Sequence, residues 1–147
     1  VRRCWAFKGS QPIVYKNGSK KAVNIGGTYT STNEFHFYKM KYQTKEEVLW
    51  NIKLLRMKYP KMFFLLDKAS WNKNKTVIGY LESKKIPYMF YPTGASDLNA
   101  TEECWKQTRE NVTANKSHNS EKELYNNLVS YWSKNIFKHN LLNYLSP

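Results

Sequence analysis

KMFFLLD, residues 61–67, is the most apolar stretch of the chain and ends on an aspartate. A short continuous apolar run is typical of a strand that is covered on both of its faces. Its unbroken apolar part, Met62 to Leu66, is the longest in the sequence, and five residues are too few to cross a bilayer. We therefore predict a buried strand here, inside a globular α/β domain.

The segments on either side of this run alternate between strand-like and helix-like patterns. Two capping boxes, in which Ser or Thr precedes Glu by three residues, predict helix starts at Thr44 and Ser120. Apolar residues follow the first box at helical spacing, and Pro60 ends that helix. This alternation predicts an α/β domain with a partly parallel sheet. The other predicted strands are 22–30, 34–41 and 86–91, and the other predicted helices are 73–84 and 99–112.

The composition limits the class of protein but does not indicate one function. Its 147 residues suit one domain, and 41% hydrophobic content excludes a disordered chain. The net charge of +13 is compatible with binding to nucleic acid or to small anionic substrates. Twenty of the twenty-four basic residues are lysine, however, and a compositionally biased genome would also produce such an excess. The start, Val-Arg-Arg-Cys-Trp, lacks the apolar stretch of a signal peptide, which favours a cytosolic protein. Cys4 and Cys104 have no zinc-site spacing, and we expect reduced thiols.

Asp67 is the first candidate for chemistry because it ends the apolar strand. In open α/β sheets, ligands and catalytic groups collect at the carboxyl ends of the strands. A carboxylate beside Leu66 and Ala69 must be solvated, paired or bound to a metal, because burying it alone is costly. The alternative is that Asp67 caps the following helix, and the strand context alone leaves both interpretations open.

Glu102 is the second candidate, three residues after an asparagine that is placed to cap a helix. It follows the strand ending at Tyr91 and a Pro-Gly turn. Asn99-x-x-Glu102 is also close to a capping box, and an acid in the first turn suits the helix dipole. A purely structural role therefore stays open for Glu102 as well.

Taken together, the two segments carry a family resemblance. LLDKASW (65–71) and PTGASDLNATE (92–102), with Trp105 shortly after, resemble the DDE transposases of the mariner-like superfamily, especially their bacterial and archaeal insertion-sequence branch. That branch has an Asp-Asn-Ala-like turn after a strand, and Leu-Asn-Pro-x-Glu after a Pro-rich turn. Thirty-four residues separate Asp67 from Glu102, which is the family's interval between its second and third acids. Upstream, WAFKG (5–9) is similar to the family's Trp-x-x-x-Gly segment.

The resemblance implies an RNase H-like mixed sheet flanked by helices, and a two-metal mechanism. Asp67 and Glu102 would be the catalytic metal ligands, holding Mg²⁺ or Mn²⁺ at two positions about 4 Å apart. This chemistry nicks DNA at transposon ends and joins the 3′-hydroxyl to target DNA. Glu103 is a poorer candidate than Glu102, because one helical step turns it by about 100° and it lies one residue off the family frame.

The chain also departs from the family pattern. The family's first catalytic Asp lies on an opening strand upstream of the Trp-x-x-x-Gly segment, but the only aspartates here are Asp67 and Asp97. We therefore expect residues 1–147 to be one catalytic domain truncated at its N-terminus, lacking the first strand, the first Asp and the helix-turn-helix domain. Lys68 also replaces the family's Asn, and the family's prolines are missing at Ser96 and Ala100.

These departures predict that the chain alone folds poorly, because loss of the central strand leaves unpaired edges, and that it does not cleave DNA. The alternative is an inactive transposase remnant or a non-enzymatic DNA-binding module.

The resemblance further implies partners and a location. The partner would be double-stranded DNA, both transposon ends and target, with self-association in the active complex and no membrane. The cell compartment would be the prokaryotic cytoplasm, at the nucleoid. Basic, aromatic and amide side chains near the two acids are the candidate contacts with nucleic acid. These residues are Lys68, Trp71, Lys73, Lys75, Asn99, Lys106 and Arg109.

Overall fold

The computed structural model describes residues 22–145, which form four strands and four helices. Short 3₁₀ turns at Ser96–Leu98 and Leu141–Tyr144 and a π-helical turn at Arg109–Thr113 complete the regular structure. The WAFKG segment and Cys4 lie outside the described residues. The main elements are β1 (Asn24–Tyr29), β2 (Phe35–Met40), α1 (Lys45–Lys58), β3 (Phe64–Leu66), α2 (Lys75–Ser83), β4 (Tyr88–Phe90), α3 (Ala100–Thr108) and α4 (Glu121–Lys134).

The types and order of the elements confirm the predicted alternation of strands and helices. The predicted strands 61–67 and 86–91 are shorter in the structure, because only three residues of each form a ladder. The helix predicted at 73–84 spans Lys75–Ser83, and the helix predicted at 99–112 ends at Thr108 and continues as the π-helical turn. Among residues 22–145, no helix combines the length and the apolar composition that a membrane crossing requires.

The strands of the described region form two separate pairs instead of the one mixed sheet that we predicted. β1 and β2 pair antiparallel, from Asn24 opposite Met40 to Tyr29 opposite Phe35. β3 and β4 pair in parallel, with Leu65 opposite Met89. Within residues 22–145, each of the four strands therefore has one edge without a neighbouring strand. The domain has the mixed antiparallel and parallel pairing of an α/β protein, but its sheet is interrupted.

Both predicted helix starts are confirmed, with Thr44 and Ser120 as the capping residues, but the glutamates accept from backbone N–H groups that precede the caps instead of completing reciprocal boxes. The Thr44 hydroxyl accepts a hydrogen bond from the Glu47 backbone N–H, and the Ser120 hydroxyl accepts one from the Glu123 backbone N–H. Each glutamate returns to the segment just before its helix, where the Glu123 carboxylate accepts from the Asn119 N–H at 2.8 Å. These bonds satisfy N–H groups that have no partner within the helix, and so fix where α1 and α4 begin.

Each strand pair packs against its own helices and forms its own hydrophobic core. The β1–β2 pair packs on α3, α4 and the chain that follows α4, around the buried side chains of Tyr29, Cys104, Trp132 and Phe137. The β3–β4 pair packs against α1 and α2, around residues that include Ile52, Phe64, Val77 and Leu81. The two cores are contributed by different parts of the chain, so the interruption of the sheet is also an interruption of the core.

The contacts of α1 fix its direction relative to β1 and β2. Glu47, near the start of α1, accepts from the backbone N–H of Lys41 just after β2. Lys58, at the end of α1, forms a 3.1 Å ion pair with Glu34 just before β2. α1 is therefore antiparallel to β2 and runs in the direction of β1. β3 follows after a short connection, and Phe64 at its start shares a core cluster with Ile52 and Leu55 of α1.

Candidate active-site groove

A groove of about 960 Å³ lies between the two strand pairs. Consecutive residues of β1 line one side of it, and the consecutive residues 61–67 line another. Since neighbouring residues of a strand point to opposite faces, a groove that is lined by every residue of a strand lies along the edge of that strand. The groove thus runs between the free edges of β1 and β3, and helices α1, α3 and α4 contribute to its walls.

Asp67 lines this groove at the end of β3, where its side chain is exposed. Its Oδ1 accepts hydrogen bonds from the Ala69 backbone N–H at 2.9 Å and from the Asn72 side-chain amide at 2.7 Å. This arrangement is a turn stabilised by an aspartate side chain, not a helix cap. Asn74 caps α2 instead, accepting from the N–H groups of Thr76 and Val77. The alternative interpretation of Asp67 as the cap of the next helix is therefore wrong.

Glu102 lines the same groove from the first turn of α3, and its side chain is also exposed. Asn99 caps α3 by accepting from the Thr101 N–H at 3.1 Å. A reciprocal capping box would need Glu102 to accept from the Asn99 N–H, but that N–H donates to the Ser96 carbonyl at 3.1 Å. The cap is thus complete without the Glu102 carboxylate, which leaves that group available to the groove.

Glu103 differs from Glu102 in its surroundings. Its carboxylate accepts from the Gln107 side-chain amide at 3.0 Å and forms an ion pair with Lys106 at 3.6 Å. The hydrogen bond from Gln107 holds the pKa of Glu103 below its usual value, and the nearby positive charge of Lys106 lowers it further. Glu103 is not among the residues that line the groove. Of the two adjacent acids, Glu102 is the one that the helix presents to the groove.

The structure places three of the predicted nucleic-acid contacts along the groove. Trp71 lines it beside the turn that Asp67 forms, and Asn99 lines it at the start of α3. Arg109 lines it one helical turn beyond Trp105. Of the predicted site residues, the groove therefore combines the two carboxylates with Trp71, Asn99 and Arg109, and Lys61 is a second cation in its lining.

Four predicted contacts do not line the groove: Lys68, Lys73, Lys75 and Lys106. The Lys68 ammonium donates to the Thr93 hydroxyl at 3.1 Å, which links the loop after β3 to the loop after β4. Lys106 is the partner of Glu103 in the ion pair described above. A role for these four lysines in binding DNA stays a prediction.

The acidic residues of the groove can be counted for the whole chain. All eleven Asp and Glu residues of the sequence fall within residues 22–145. Of these, Asp67 and Glu102 line the groove. In the described region, no group of three or more His, Cys, Asp and Glu side chains could hold a metal ion. The chain itself therefore supplies a pair of carboxylates and not a trio.

Sequence reasoning missed two residues that shape this site. Asn72 holds the Asp67 carboxylate, and only its short spacing from Asp67 could have indicated it. Gly27 lets α3 lie close to β1, because a Cβ atom there would be 2.6 Å from the Trp105 ring. Trp105 is three residues after Glu102 and therefore on the same side of α3. The adjacent glycines Gly26 and Gly27 in a strand pattern were the available signal of a close approach.

Comparison with known proteins identifies a family. Residues 1–125 match the family model described as DDE superfamily endonuclease, which covers most of the chain and includes both groove carboxylates. No curated protein matches the sequence.

Proposed function

Because this chain belongs to the DDE superfamily of endonucleases, we propose that the groove is the active-site cleft of a transposase that cuts and joins DNA. The observation that carries the proposal is that Asp67 and Glu102 line one groove, although thirty-four residues separate them in sequence. Both side chains are exposed there, and neither is used to cap a helix. Their family positions, after a buried strand and on the first turn of a helix, support the same assignment.

The donor chemistry of the pair fits Mg²⁺ or Mn²⁺. Hard carboxylate oxygens are the ligands that these cations prefer. Asn72 and the Ala69 N–H hold one oxygen of Asp67, which orients the carboxylate as outer-shell partners do in known metal sites. When bound, the cations would activate the attacking water or 3′-hydroxyl and stabilise the leaving oxygen. The task of the protein is to hold both carboxylates at the groove, with α3 fixed against β1.

A complete DDE site needs a third carboxylate, and we propose that it is not among residues 1–147. The groove is lined by two of the chain's acidic residues, and residues 1–21 contain none. An RNase H-like domain would place that acid on a strand between β1 and β3. Residues 1–147 would then contribute two of the three acids of a mariner-like insertion-sequence transposase and would be inactive on their own.

The proposed substrate is double-stranded DNA, as transposon end and as target. Arg109 and Trp71 line the groove, where they could contact a phosphate and a base or sugar. The net charge of +13 favours association with DNA at the nucleoid of a prokaryotic cell. Self-association in the active complex belongs to the same proposal.

A non-enzymatic DNA-binding module is the second candidate. Only two acidic residues of the chain line the groove, which favours this second candidate. DNA binding through the net charge of +13 does not require a complete metal site. Cleavage of end-labelled duplex DNA with Mn²⁺ separates the two candidates. We expect the 147-residue chain to bind DNA without cutting it, and to cut it once a strand with the missing Asp is restored. Binding without cutting in both cases would favour the module.

Metal binding by the chain itself tests the proposed carboxylate pair. We expect Mn²⁺ titration, followed by electron paramagnetic resonance of the free ion, to show a site that Asp67→Asn or Glu102→Gln weakens by about tenfold or more. Because both groups would hold the same site, the double variant should lose little more than either single variant. Glu103→Gln is the matched control, since it removes the adjacent acid and should leave the affinity unchanged. Equal losses in Glu102→Gln and Glu103→Gln would contradict the assignment.

A further inference from the structure

We infer that a second cavity, which lies beside α4 and apart from the groove, is a binding site for a phosphate group. This α4 cavity has a volume of about 540 Å³, and its walls come from the π-helical turn at Arg109–Thr113, the loop after that turn and the later part of α4. Ser130 lines the α4 cavity, whereas Leu128 lines the groove. Because two residues turn a helix by about 200°, the two spaces lie on opposite sides of α4.

The charge of the α4 cavity favours an anion. Lys116, in the loop after the π-helical turn, and Lys134, in the last turn of α4, both line it and are exposed. No Asp or Glu lines it, and Glu110, whose charge acts on Tyr131 from the π-helical turn, lies outside the lining. Among residues 22–145, Lys134 has no carboxylate partner. Its ammonium group is therefore available to a ligand.

The loop that carries Lys116 is held against α4. The His118 ring donates through Nε2 to the Val112 carbonyl at 3.1 Å, and its Nδ1 accepts from the Asn127 side-chain amide at 3.2 Å. Lys116 donates to the Asn111 carbonyl, which uses one of its three N–H groups and leaves two. These bonds fix the wall of the cavity before a ligand arrives, which lowers the entropy cost of binding.

Two further donors in the wall of the α4 cavity have no acceptor. The Tyr131 hydroxyl accepts from the Asn111 side-chain amide at 3.4 Å, so its own proton is free to donate. Burial raises the pKa of Tyr131, which keeps that proton in place at neutral pH. The side-chain Nδ2 of Asn135 is buried and has no hydrogen-bond partner among residues 22–145. A buried donor without an acceptor costs free energy, and a bound oxyanion would supply the acceptor.

The arrangement of these donors fits a phosphate group better than a carboxylate. They come from the loop at Lys116, from α4 at Tyr131 and Lys134, and from Asn135 just after α4. The oxygens of a phosphate group point in several directions and can accept from all three parts of the chain, whereas the two oxygens of a carboxylate lie in one plane. Lysine binds phosphate as a point charge and does not need the planar fork of arginine.

The phosphate group has two candidate sources, the DNA backbone and a free phosphate or phosphate ester. A cavity of about 540 Å³ has room for the group that carries the phosphate. The π-helical turn separates the two spaces, because Arg109 lines the groove and Asn111 lines the α4 cavity. DNA in the groove would therefore have the α4 cavity beside it. That source rests on the proposed function, whereas the binding of free phosphate does not.

Isothermal titration calorimetry with inorganic phosphate tests the site on the full 147-residue chain, in EDTA and without DNA. We expect one saturable site per chain. Lys134→Gln should weaken phosphate binding by about tenfold or more, because hydrogen bonds between charged groups are the strong ones. Lys122→Gln is the matched control, since it removes an exposed lysine of the same helix that does not line the cavity. It should leave the affinity unchanged.

Asn135→Leu distinguishes a binding role from a structural one. It replaces the unpartnered donor by an apolar side chain of similar size, so phosphate binding should weaken by about tenfold while the urea midpoint stays at or above that of the wild type. An asparagine that only stabilised the fold would lower the midpoint when replaced. If Asn135→Leu does not fold, Lys134→Gln and Lys122→Gln still decide the question.

Fluorescence anisotropy with a fluorescein-labelled DNA duplex, again in EDTA, distinguishes the two sources. If the DNA backbone supplies the phosphate, Lys134→Gln and Asn135→Leu should weaken duplex binding more than Lys122→Gln does, and inorganic phosphate should compete. If the three variants bind the duplex equally while the first two lose phosphate, the ligand is a free phosphate or a phosphate ester.

Three results would overturn the inference: no saturable binding of phosphate, equal phosphate affinities in Lys134→Gln and Lys122→Gln, or a folded Asn135→Leu variant that binds phosphate as the wild type does. None of them affects the Mn²⁺ titration of Asp67 and Glu102. Loss of that metal site would in turn leave the phosphate titration unchanged, so the two proposals fail separately.

Discussion

Adding one methyl group at Gly27 should destabilise the protein, and the structure gives the size of the effect. A Cβ atom at Gly27 would be 2.6 Å from the Trp105 ring and 2.8 Å from the Phe35 ring, where carbon atoms normally keep about 3.5 Å or more. The two rings pack edge to face, with centroids 5.4 Å apart, so neither can move without disturbing the other. Overpacking of this kind costs about 1–3 kcal/mol.

The same substitution at Gly79 is the matched control, because the structure predicts the opposite sign. Gly79 lies within α2, and a Cβ atom there would meet nothing within 4 Å. Gly79→Ala should therefore raise the free energy of unfolding by about 0.5–1 kcal/mol through helix propensity and reduced freedom of the unfolded chain. At Gly27, that gain from the unfolded state is smaller than the cost of the clash. The expected net loss for Gly27→Ala is about 1–2 kcal/mol.

Urea unfolding at 25 °C, followed by far-ultraviolet circular dichroism, measures both changes. The slopes of the transitions should stay equal while the midpoints move in opposite directions. If Gly27→Ala were as stable as the wild type, the close approach of α3 to β1 would be wrong. The position that the structure gives to Glu102 would then lose its support.

Three further predictions concern buried groups. The Thr108 hydroxyl accepts from the Trp132 indole N–H at 2.9 Å, so Thr108→Val should lower the free energy of unfolding by about 1–3 kcal/mol in urea titrations. Thr108→Ser, which keeps the hydroxyl, should lose less. Burial raises the pKa of the Cys104 thiol to about 12, so in a Cys4→Ser background a disulfide reagent should react with it only after unfolding. Burial also raises the pKa values of Tyr29 and Tyr38 to about 12. The unfolded chain releases these protons at a lower pH than the folded chain does. The contribution of the two tyrosines to the free energy of unfolding should therefore be complete below about pH 9 and decline toward pH 12. Urea unfolding at a series of pH values measures this decline.

The sequence predicted the local placement of the two candidate acids better than it predicted the sheet. Asp67 at the end of an apolar strand and Glu102 on the first turn of a helix are local features, and the structure has both at the predicted places. The helical rotation indicated that Glu102 and Glu103 face different directions, and the family resemblance favoured Glu102, which is the one that lines the groove. The sequence did not predict the ion pair between Lys106 and Glu103, because the ion pairs of long, flexible side chains depend on how the helix packs.

The sheet could not be predicted because strand pairing depends on distant parts of the chain. Each predicted strand is present, but within residues 22–145 the strands form two pairs with a groove between them. Periodicity shows that a segment favours an extended conformation and which side chains it buries. Periodicity does not show which neighbouring strand forms hydrogen bonds with the backbone groups at each edge.

By itself, the sequence determined the order of the strands and helices, the capping residues Thr44, Asn99 and Ser120, and the placement of Asp67 after a strand and of Glu102 on the first turn of a helix, but not Asn74, which caps α2. These features depend on hydrogen bonds and apolar contacts between residues that are close in the chain. Only the tertiary structure decided that β1 and β3 are in separate pairs within residues 22–145, that Gly27 admits Trp105 and that Asn72 holds Asp67. Those features depend on how whole elements pack, and packing is fixed by steric fit among many side chains at once.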